Sequence, residues 1–432
     1  MGSIWKRGCD EVRFGALEGN IDADVLIIGG GMAGILCAYM MKNAGIDAVL
    51  IEARRILGGV TENTTAKITY QHGFIYEKLI RQFGEDGARL YAEAQKWALD
   101  EYGRLCGGIE CDYEIKDSAV YSLFDRSKAE GELYAMKRLG IDAEFSESLD
   151  IPFKIAGAVT VREQAQFNPL AFAYNIARGL TIYENTKVTS LMPGKAVTNR
   201  GEIRFKRAVV ATHFPILNKH GSYFLKMYQH RSYVIALEGA GSVNGMYVDE
   251  DNRGLSFRTY KDKLLLGGGG HRTGKKGGSY NVLEEFAKKH YPDARIAEKW
   301  ATQDCMTLDG APYIGQYSLR TPELYTATGF NKWGMTSSMV SAAVLTDLVR
   351  GRKNKYTRLL SPSRSIMRPQ LALNAIESVV GLLTPTTPRC PHLGCALRYN
   401  KAEHSWDCPC HGSRFTEDGE LICGPATDDK KM

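Results

Sequence analysis

Apolar and polar positions follow two periods along this chain, and the changes of period mark its elements. Val25 to Ile28 is an unbroken apolar run, short enough for a strand buried on both faces. From Met32 the apolar positions recur at helical spacing until Gly45. A second apolar run, Ala48 to Ile51, then ends at the acidic Glu52. The pattern predicts strand, turn, helix and parallel strand. "DGARLYAEAQKWALDEYGRL", from Asp86, predicts a longer amphipathic helix. "RSYVIALE", "GLSFRTY" and "KLLLGGG" predict short strands between residues 231 and 269. "LLLGGGGHRTGKKGG" from Leu264 reads as a strand end and a loop, because lysines and glycines follow instead of a helix-forming run. Near the end, "LALNAIESVVGLL" predicts a helix, and "TPTTPR", ending at Arg389, a linker.

A chain of 432 residues exceeds one ordinary hydrophobic core, so two or three domains are expected. With 44% hydrophobic and 24% charged residues, the composition is that of a globular protein. The net charge of +6 comes without a dense basic run, which gives nucleic-acid binding no support. No apolar stretch reads as a transmembrane segment, and the charged N-terminus lacks the apolar core of a signal peptide. A cytoplasmic location is the resulting expectation. Five of the ten cysteines crowd between Cys390 and Cys423, and local clustering in an intracellular chain points to metal.

The first turn holds Gly29, Gly31 and Gly34, a GxGxxG pattern. Its glycines permit a tight turn and close approach of backbone to a pyrophosphate, which the helix opening at Met32 and Ala33 faces with its N-terminus. Glu52 is placed to accept hydrogen bonds from ribose hydroxyls. A plain βαβ unit with a glycine turn is the alternative. Three later stretches bear on which nucleotide binds. "GGVTENTTAKIT" from Gly58 resembles the loop that lays down the flavin in D-amino-acid-oxidase-like, or glycine/sarcosine oxidase-like, FAD oxidoreductases. "ENTKVTSL" and "RAVVATH" resemble their adenine-end segments, and "LYTATGFNKWGMTSS" the late strand and helix that meet the ring. The resemblance runs from about Asp22 to Arg352. It implies FAD, held by the GxGxxG turn with Glu52, Ala53 and Arg54, by Thr61, Thr65, Ala66 and Lys67, by Val188 and Ala211, and by Gly329, Phe330, Gly334, Met335 and Thr336.

The last cluster pairs "CPHLGC" with "CPCHGS". Cys390, His392, Cys408 and His411 suit a tetrahedral zinc, but zinc leaves Cys395, Cys410, Ser413 and "GPA" at Gly424 to Ala426 without a role. The two loops resemble those of Rieske proteins. That resemblance implies a [2Fe–2S] centre with Cys390 and Cys408 on one iron and His392 and His411 on the other. It also implies a disulfide between Cys395 and Cys410, a hydroxyl from Ser413 toward a sulfide, and Phe415 where many relatives have tyrosine. Strands for a Rieske base sheet are missing from the pattern. A cluster subdomain of about 45 residues is near the limit for folding alone, so docking on the flavin domains is expected, and it should bury Leu393, Trp406 and Phe415 where the subdomain does not consume them itself.

Order and wording together resemble a bacterial family that fuses a D-amino-acid-oxidase-like flavoprotein to a Rieske domain. The implied fold class is α/β: a Rossmann-like FAD-binding domain with an inserted antiparallel-sheet substrate domain, plus a small, truncated C-terminal β Rieske subdomain. The expected division assigns 21–82, 151–213 and 310–365 to the FAD domain and 83–150 and 214–309 to the substrate domain. A helical linker follows at 366–388, then the cluster subdomain at 389–432. The implied function is an FAD-dependent oxidoreductase of dehydrogenase type. It would oxidise a small amine, amino acid or hydroxy acid and pass single electrons through the cluster to an external acceptor. Electrons entering through the cluster from a donor protein, and a non-catalytic redox sensor, are the other readings. A Rieske oxygenase needs a further 2-His-1-carboxylate iron site, for which the nine histidines offer no grouping. Arg258, Tyr260 and His271 are candidates for substrate contact, Arg258 for a bidentate carboxylate pair. Lys67, Gln71, His72, Lys332 and Trp333 are candidate ring neighbours, and Cys305 reads as a buried cysteine.

Overall fold

The computed structural model describes all residues except 1, 8, 218–219, 252–253, 386–387 and 431–432. Ile21–Ile28 lies at the centre of the first sheet, because its second half is apolar on both faces and buried. It pairs in parallel with Ala48–Ile51 on one side and Glu202–Val210 on the other. Thr181–Tyr183 and Leu324–Thr328 extend the sheet in parallel, and Tyr313–Gln316 adds an antiparallel edge. Helices Met32–Asn43 and Gly334–Val349 pack on each other over this sheet and share its largest core. The long helix predicted from Asp86 begins earlier and runs Tyr76–Cys106, with a break at Gly84, whose φ of 73° is left-handed. The expected boundary between 82 and 83 lies beside that break.

The second sheet is antiparallel except where Met246–Asp249 runs parallel to Glu114–Ser122. Two expectations change here. Gly157–Gln166, expected with the nucleotide domain, pairs with Glu114–Ser122, Glu144–Ser146 and Lys67–Ile68 in the second sheet. The stretch read as strand end and loop is one strand, Lys263–Arg272, running through its glycines. Neighbours on both sides satisfy its backbone, and the register shifts at Arg231/Tyr233 opposite Gly268, next to Gly269, whose φ is 60°.

Beyond residue 365, helix Pro369–Leu383 matches the predicted one. Thr386 and Thr387 of the predicted linker lie outside the described residues. The last segment is a four-stranded antiparallel meander, Arg398–Asn400, Ser405–Asp407, Arg414–Thr416 and Leu421–Cys423. It docks on the preceding domains as expected, and two of the three apolar residues are consumed internally. Phe415 is consumed in the meander's own core, where Trp406 packs on it, and Leu393 remains 40% exposed. Polar contacts join the segment to those domains. The buried Arg231 forms an ion pair with Glu403, Lys187 donates to the Thr427 carbonyl at 2.6 Å, and Arg54 donates to the carbonyls of Leu421 and Ile422. Among the described residues no helix is long and apolar enough to cross a membrane.

One buried ion pair ties the chain together where it leaves the first sheet. Arg364 donates to both carboxylate oxygens of Asp309 at 2.6 and 2.7 Å and to the carbonyls of Ala311 and Pro312, with its guanidinium 3.9 Å over the Tyr313 ring. Removing one member strands the other, so Arg364→Ala is expected to lose about 3–5 kcal/mol of stability. Denaturant unfolding would measure this, and an unchanged midpoint would refute it. Burial raises the Asp309 pKa, but the Arg364 hydrogen bonds and charge outweigh it and hold the carboxyl below its ordinary value. A depressed carboxyl stabilises fully above the unfolded value of about 3.9 and loses that contribution as pH falls through the lower folded value. The extra stability of the parent over the variant is therefore present at neutral pH and shrinks only in strong acid.

Candidate functional site

A cavity of 1310 Å³ lies between the two sheets and reaches the last segment. Its first end is the glycine turn. Gly29 has a φ of 111°, and a Cβ there would stand 2.6 Å from the Ala211 carbonyl oxygen, so only glycine lets the turn sit against the third strand. Gly34 lies behind the cavity wall, where its missing Cβ lets the helix close on the Gly29 carbonyl. Gly31, Met32 and Ala33 face the cavity, although Thr61 Oγ1 already accepts the Met32 N–H at 3.0 Å. Glu52 lines the same end, its carboxylate anchored by the N–H groups of Gly30 at 2.8 Å and Arg54 at 3.0 Å. Ala53, Arg54, Val188 and Ala211 complete this wall.

Farther along, Thr65 and Lys67 face Phe330, Gly334 and Met335 at the start of helix Gly334–Val349. Ala66, Gly329 and Thr336 are packed behind this surface, Thr336 donating to the Thr69 carbonyl. His72 stacks on Trp333 at 4.8 Å and is held by Tyr91, Thr69 and Thr336, and burial pushes its pKa down to about 3. Burial, with the Arg258 charge second, pushes Lys67 down to about 7. Lys332 and Asp304 share the wall, and burial raises Asp304 to about 6 against the pull of Lys332 and Arg231.

The substrate candidates do not reach the cavity. Arg258 is fully buried and donates to the carbonyls of Thr65 and Ala66, so it holds the flavin-type loop from behind. Tyr260 donates to Asp112 at 2.6 Å, and His271 is fixed between Tyr233 and its neighbour's carbonyl. Gln71 is likewise taken up, donating to the Val159 carbonyl. Cys305 is buried, yet it lies in the wall of the cavity beside Asp304. Polar residues at the ends of the central strands line the cavity in their place: Tyr228, Arg231, Ser232 and Asp304. Their trace in the sequence is faint, a few polar positions inside runs that pattern as buried strands.

The last segment brings its two loops together. Cys390, Cys408 and His411 are buried and His392 half-buried, with the imidazole centroids 5.0 Å apart. Hydrogen bonds from Gly394 to the Cys390 carbonyl and from Gly412 to the Cys408 carbonyl close each loop. Ser413 lies by Cys390, its oxygen accepting the Ala426 N–H at 2.9 Å, which leaves the hydroxyl hydrogen to point elsewhere. Cys395 and Cys410 meet beside Cys408, their sulfurs all within 4.8 Å and unjoined in this structure, a placement from which an oxidant could form the expected disulfide.

Both halves fit the groups that the sequence implies. At the first, the glycine cradle opens on a large cavity into which His213 also faces, its buried Nε2 without a hydrogen-bond partner among the described residues. At the second, His411 is 1% exposed with neither ring nitrogen partnered among the described residues. A buried imidazole left this way is costly unless a metal takes one nitrogen.

The family profile described as FAD dependent oxidoreductase matches residues 24–348, and that described as Rieske [2Fe-2S] domain matches residues 370–431. The chain is 34% identical over 487 residues to the Rieske 2Fe-2S iron-sulfur protein YhfW of Bacillus subtilis (strain 168), covering 98% of this chain and 96% of the relative. It is 23% identical to gamma-glutamylputrescine oxidoreductase of Escherichia coli (strain K12), over 79% of this chain and 87% of that one. Among solved structures, L-proline dehydrogenase from P. horikoshii superposes with a TM-score of 0.67 at 18% identity, over 81% of this chain and 98% of the other.

Proposed function

The chain belongs to the FAD dependent oxidoreductase family and carries a Rieske [2Fe-2S] domain, and from that premise we propose that it oxidises a small amine, amino acid or hydroxy acid and passes the electrons singly to an external acceptor. The observation that carries this reading is a shared wall. Cys423, Gly424 and Ala426, from the loop beside the cluster ligands, line the same cavity as Gly29, Glu52 and Met335. When bound, FAD accepts a hydride equivalent and a [2Fe–2S] centre moves one electron at a time.

The chain's own residues have distinct tasks in this scheme. Gly29, Gly31 and Ala33 admit the pyrophosphate to the helix N-terminus, and Glu52 orients the ribose. Helix Gly334–Val349 aims its N-terminus at the ring end, where its dipole favours negative charge. Cys390, His392, Cys408 and His411 hold the iron pair. At the substrate end Lys332 binds a carboxylate and Asp304 an ammonium group. Neutral above pH 7, Lys67 accepts the proton that a substrate ammonium must lose before its carbon gives up hydride. The names of gamma-glutamylputrescine oxidoreductase and L-proline dehydrogenase agree with nitrogen-bearing substrates.

The test is anaerobic rapid mixing of the protein with amines and amino acids, following flavin and cluster absorbance separately. Flavin bleaching is expected first, with cluster reduction following at a rate independent of protein concentration. For an ammonium substrate the bleaching rate should rise through an apparent pKa near 7, and that step should vanish in Lys67→Met. A cluster that stays oxidised while flavin is fully reduced favours the reversed flow, and an unchanged pH profile in the variant removes Lys67 from the proton path.

A further inference from the structure

The iron-binding segment has little core of its own. Seven buried residues compose it, four of them cysteines. Four short strands enclose it, and the ligand loop Cys408–His411 looks outward onto the second sheet rather than onto a base of its own. Three side chains of that sheet meet it. Gln229, on Met227–Glu238, donates its amide to the His411 carbonyl and to the Gly424 carbonyl, both at 2.9 Å. Gln303, on Arg295–Thr307, donates to the Gly412 carbonyl at 2.8 Å and to the Gln229 amide oxygen, while its own oxygen accepts the Thr273 hydroxyl at 3.1 Å. Arg272, at the end of Lys263–Arg272, donates to the carbonyls of Pro409 at 3.3 Å and Cys410 at 3.2 Å and to Asn374 at 3.0 Å. Carbonyls 409, 410, 411 and 412 are thus all taken by side chains from outside the segment.

The backbones are also as close as they can be. A Cβ on Gly274 would stand 2.5 Å from the Pro409 nitrogen, and one on Gly412 2.5 Å from the Gln229 Cβ. Gln229 and Gln303 are at most 4% exposed, and each amide makes several hydrogen bonds. Buried amides so fully engaged hold a fixed position, because turning either one strands several polar groups at once.

We propose that Gln229, Gln303 and Arg272 are positioning residues of the iron–sulfur centre, and that the edge of the second sheet serves as the base on which the His411 loop is built. The two amides fix where the His411 backbone stands and so how its ring presents to iron. The guanidinium places a positive charge against the ligand loop, which favours the cluster state carrying the extra electron. This role is independent of the direction in which electrons run.

The test uses the full-length protein with both cofactors. Gln229→Glu and Gln303→Glu keep the shape and remove the donors; Arg272→Gln removes the charge and Arg272→Lys retains it. The readouts are FAD and iron per chain, iron loss to a chelator, the electron paramagnetic resonance spectrum of the reduced cluster, and its midpoint potential. FAD content is expected to stay at the parent level. Both glutamate variants should show shifted g-values and lose iron several-fold faster. Arg272→Gln should lower the midpoint potential, with Arg272→Lys close to the parent. Spectrum, iron retention and potential identical to the parent in both glutamate variants and in Arg272→Gln would overturn the proposal. If Arg272→Gln loses both cofactors, Gln229→Glu decides on the same criteria.

Discussion

His411→Ala should purify with its FAD and without its iron. The imidazole is buried against Phe224 and His392, at centroid distances of 5.9 and 5.0 Å, and the protein gives neither nitrogen a partner among the described residues. Among the described residues only the Phe224 and His392 rings make a ring contact with this side chain, its nitrogens are left for a metal, and alanine offers no substitute ligand. Losing a partner one step removed from a metal already weakens a site 10–100-fold, so loss of a ligand should lower iron and labile sulfide by more than about tenfold. The flavin end rests on a different core, built from Val25, Ile27 and helix Met32–Asn43, and should be untouched. His411→Cys is the informative contrast. A thiolate can ligate, but it adds negative charge where an imidazole was neutral, so a retained cluster should be harder to reduce. Full iron in the alanine variant, or an unchanged potential in a loaded cysteine variant, would show that His411 is not a ligand.

What could be read from the sequence follows the distance over which each feature is determined. The Val25–Glu52 unit and the two ligand loops are local patterns, a period change around glycines and two cysteine–histidine pairs, and each folds as its pattern predicts. Gly157–Gln166 has little local mark of its sheet, since Glu114–Ser122 and Lys67–Ile68 lie about 35 to 99 positions away and only Glu144–Ser146 is near. The glycines of Lys263–Arg272 look like a loop until strands on both sides claim them. Arg258 shows the limit most plainly. A lone arginine in a strand suggests a carboxylate partner, whereas here its partners are two carbonyls nearly two hundred residues earlier. Gln229 and Gln303 carried no local signal, since each lies among other polar residues of its strand, and only the fold reveals that a second domain covers them.

Gly29→Ala is expected to weaken FAD binding by roughly thirtyfold. The residue has a φ of 111°, in the region that disfavours a side chain, and the added carbon would stand 2.6 Å from the Ala211 oxygen and 2.8 Å from its carbon, both backbone atoms of the adjacent parallel strand. Neither can yield without pulling Ile21–Ile28 away from Glu202–Val210. Overpacking of this kind costs about 1–3 kcal/mol. At about 2 kcal/mol, falling on the cradle, FAD affinity drops roughly thirtyfold. Gly45→Ala is the control, because Gly45 shares a positive φ of 75° but has open space around the missing Cβ. It should lose a little stability through backbone strain and keep FAD. Equilibrium dialysis or flavin fluorescence on the refilled proteins separates the two. If Gly29→Ala retains flavin as well as the Gly45 variant does, the glycine turn is a packing device of the sheet and the nucleotide is held elsewhere in the cavity.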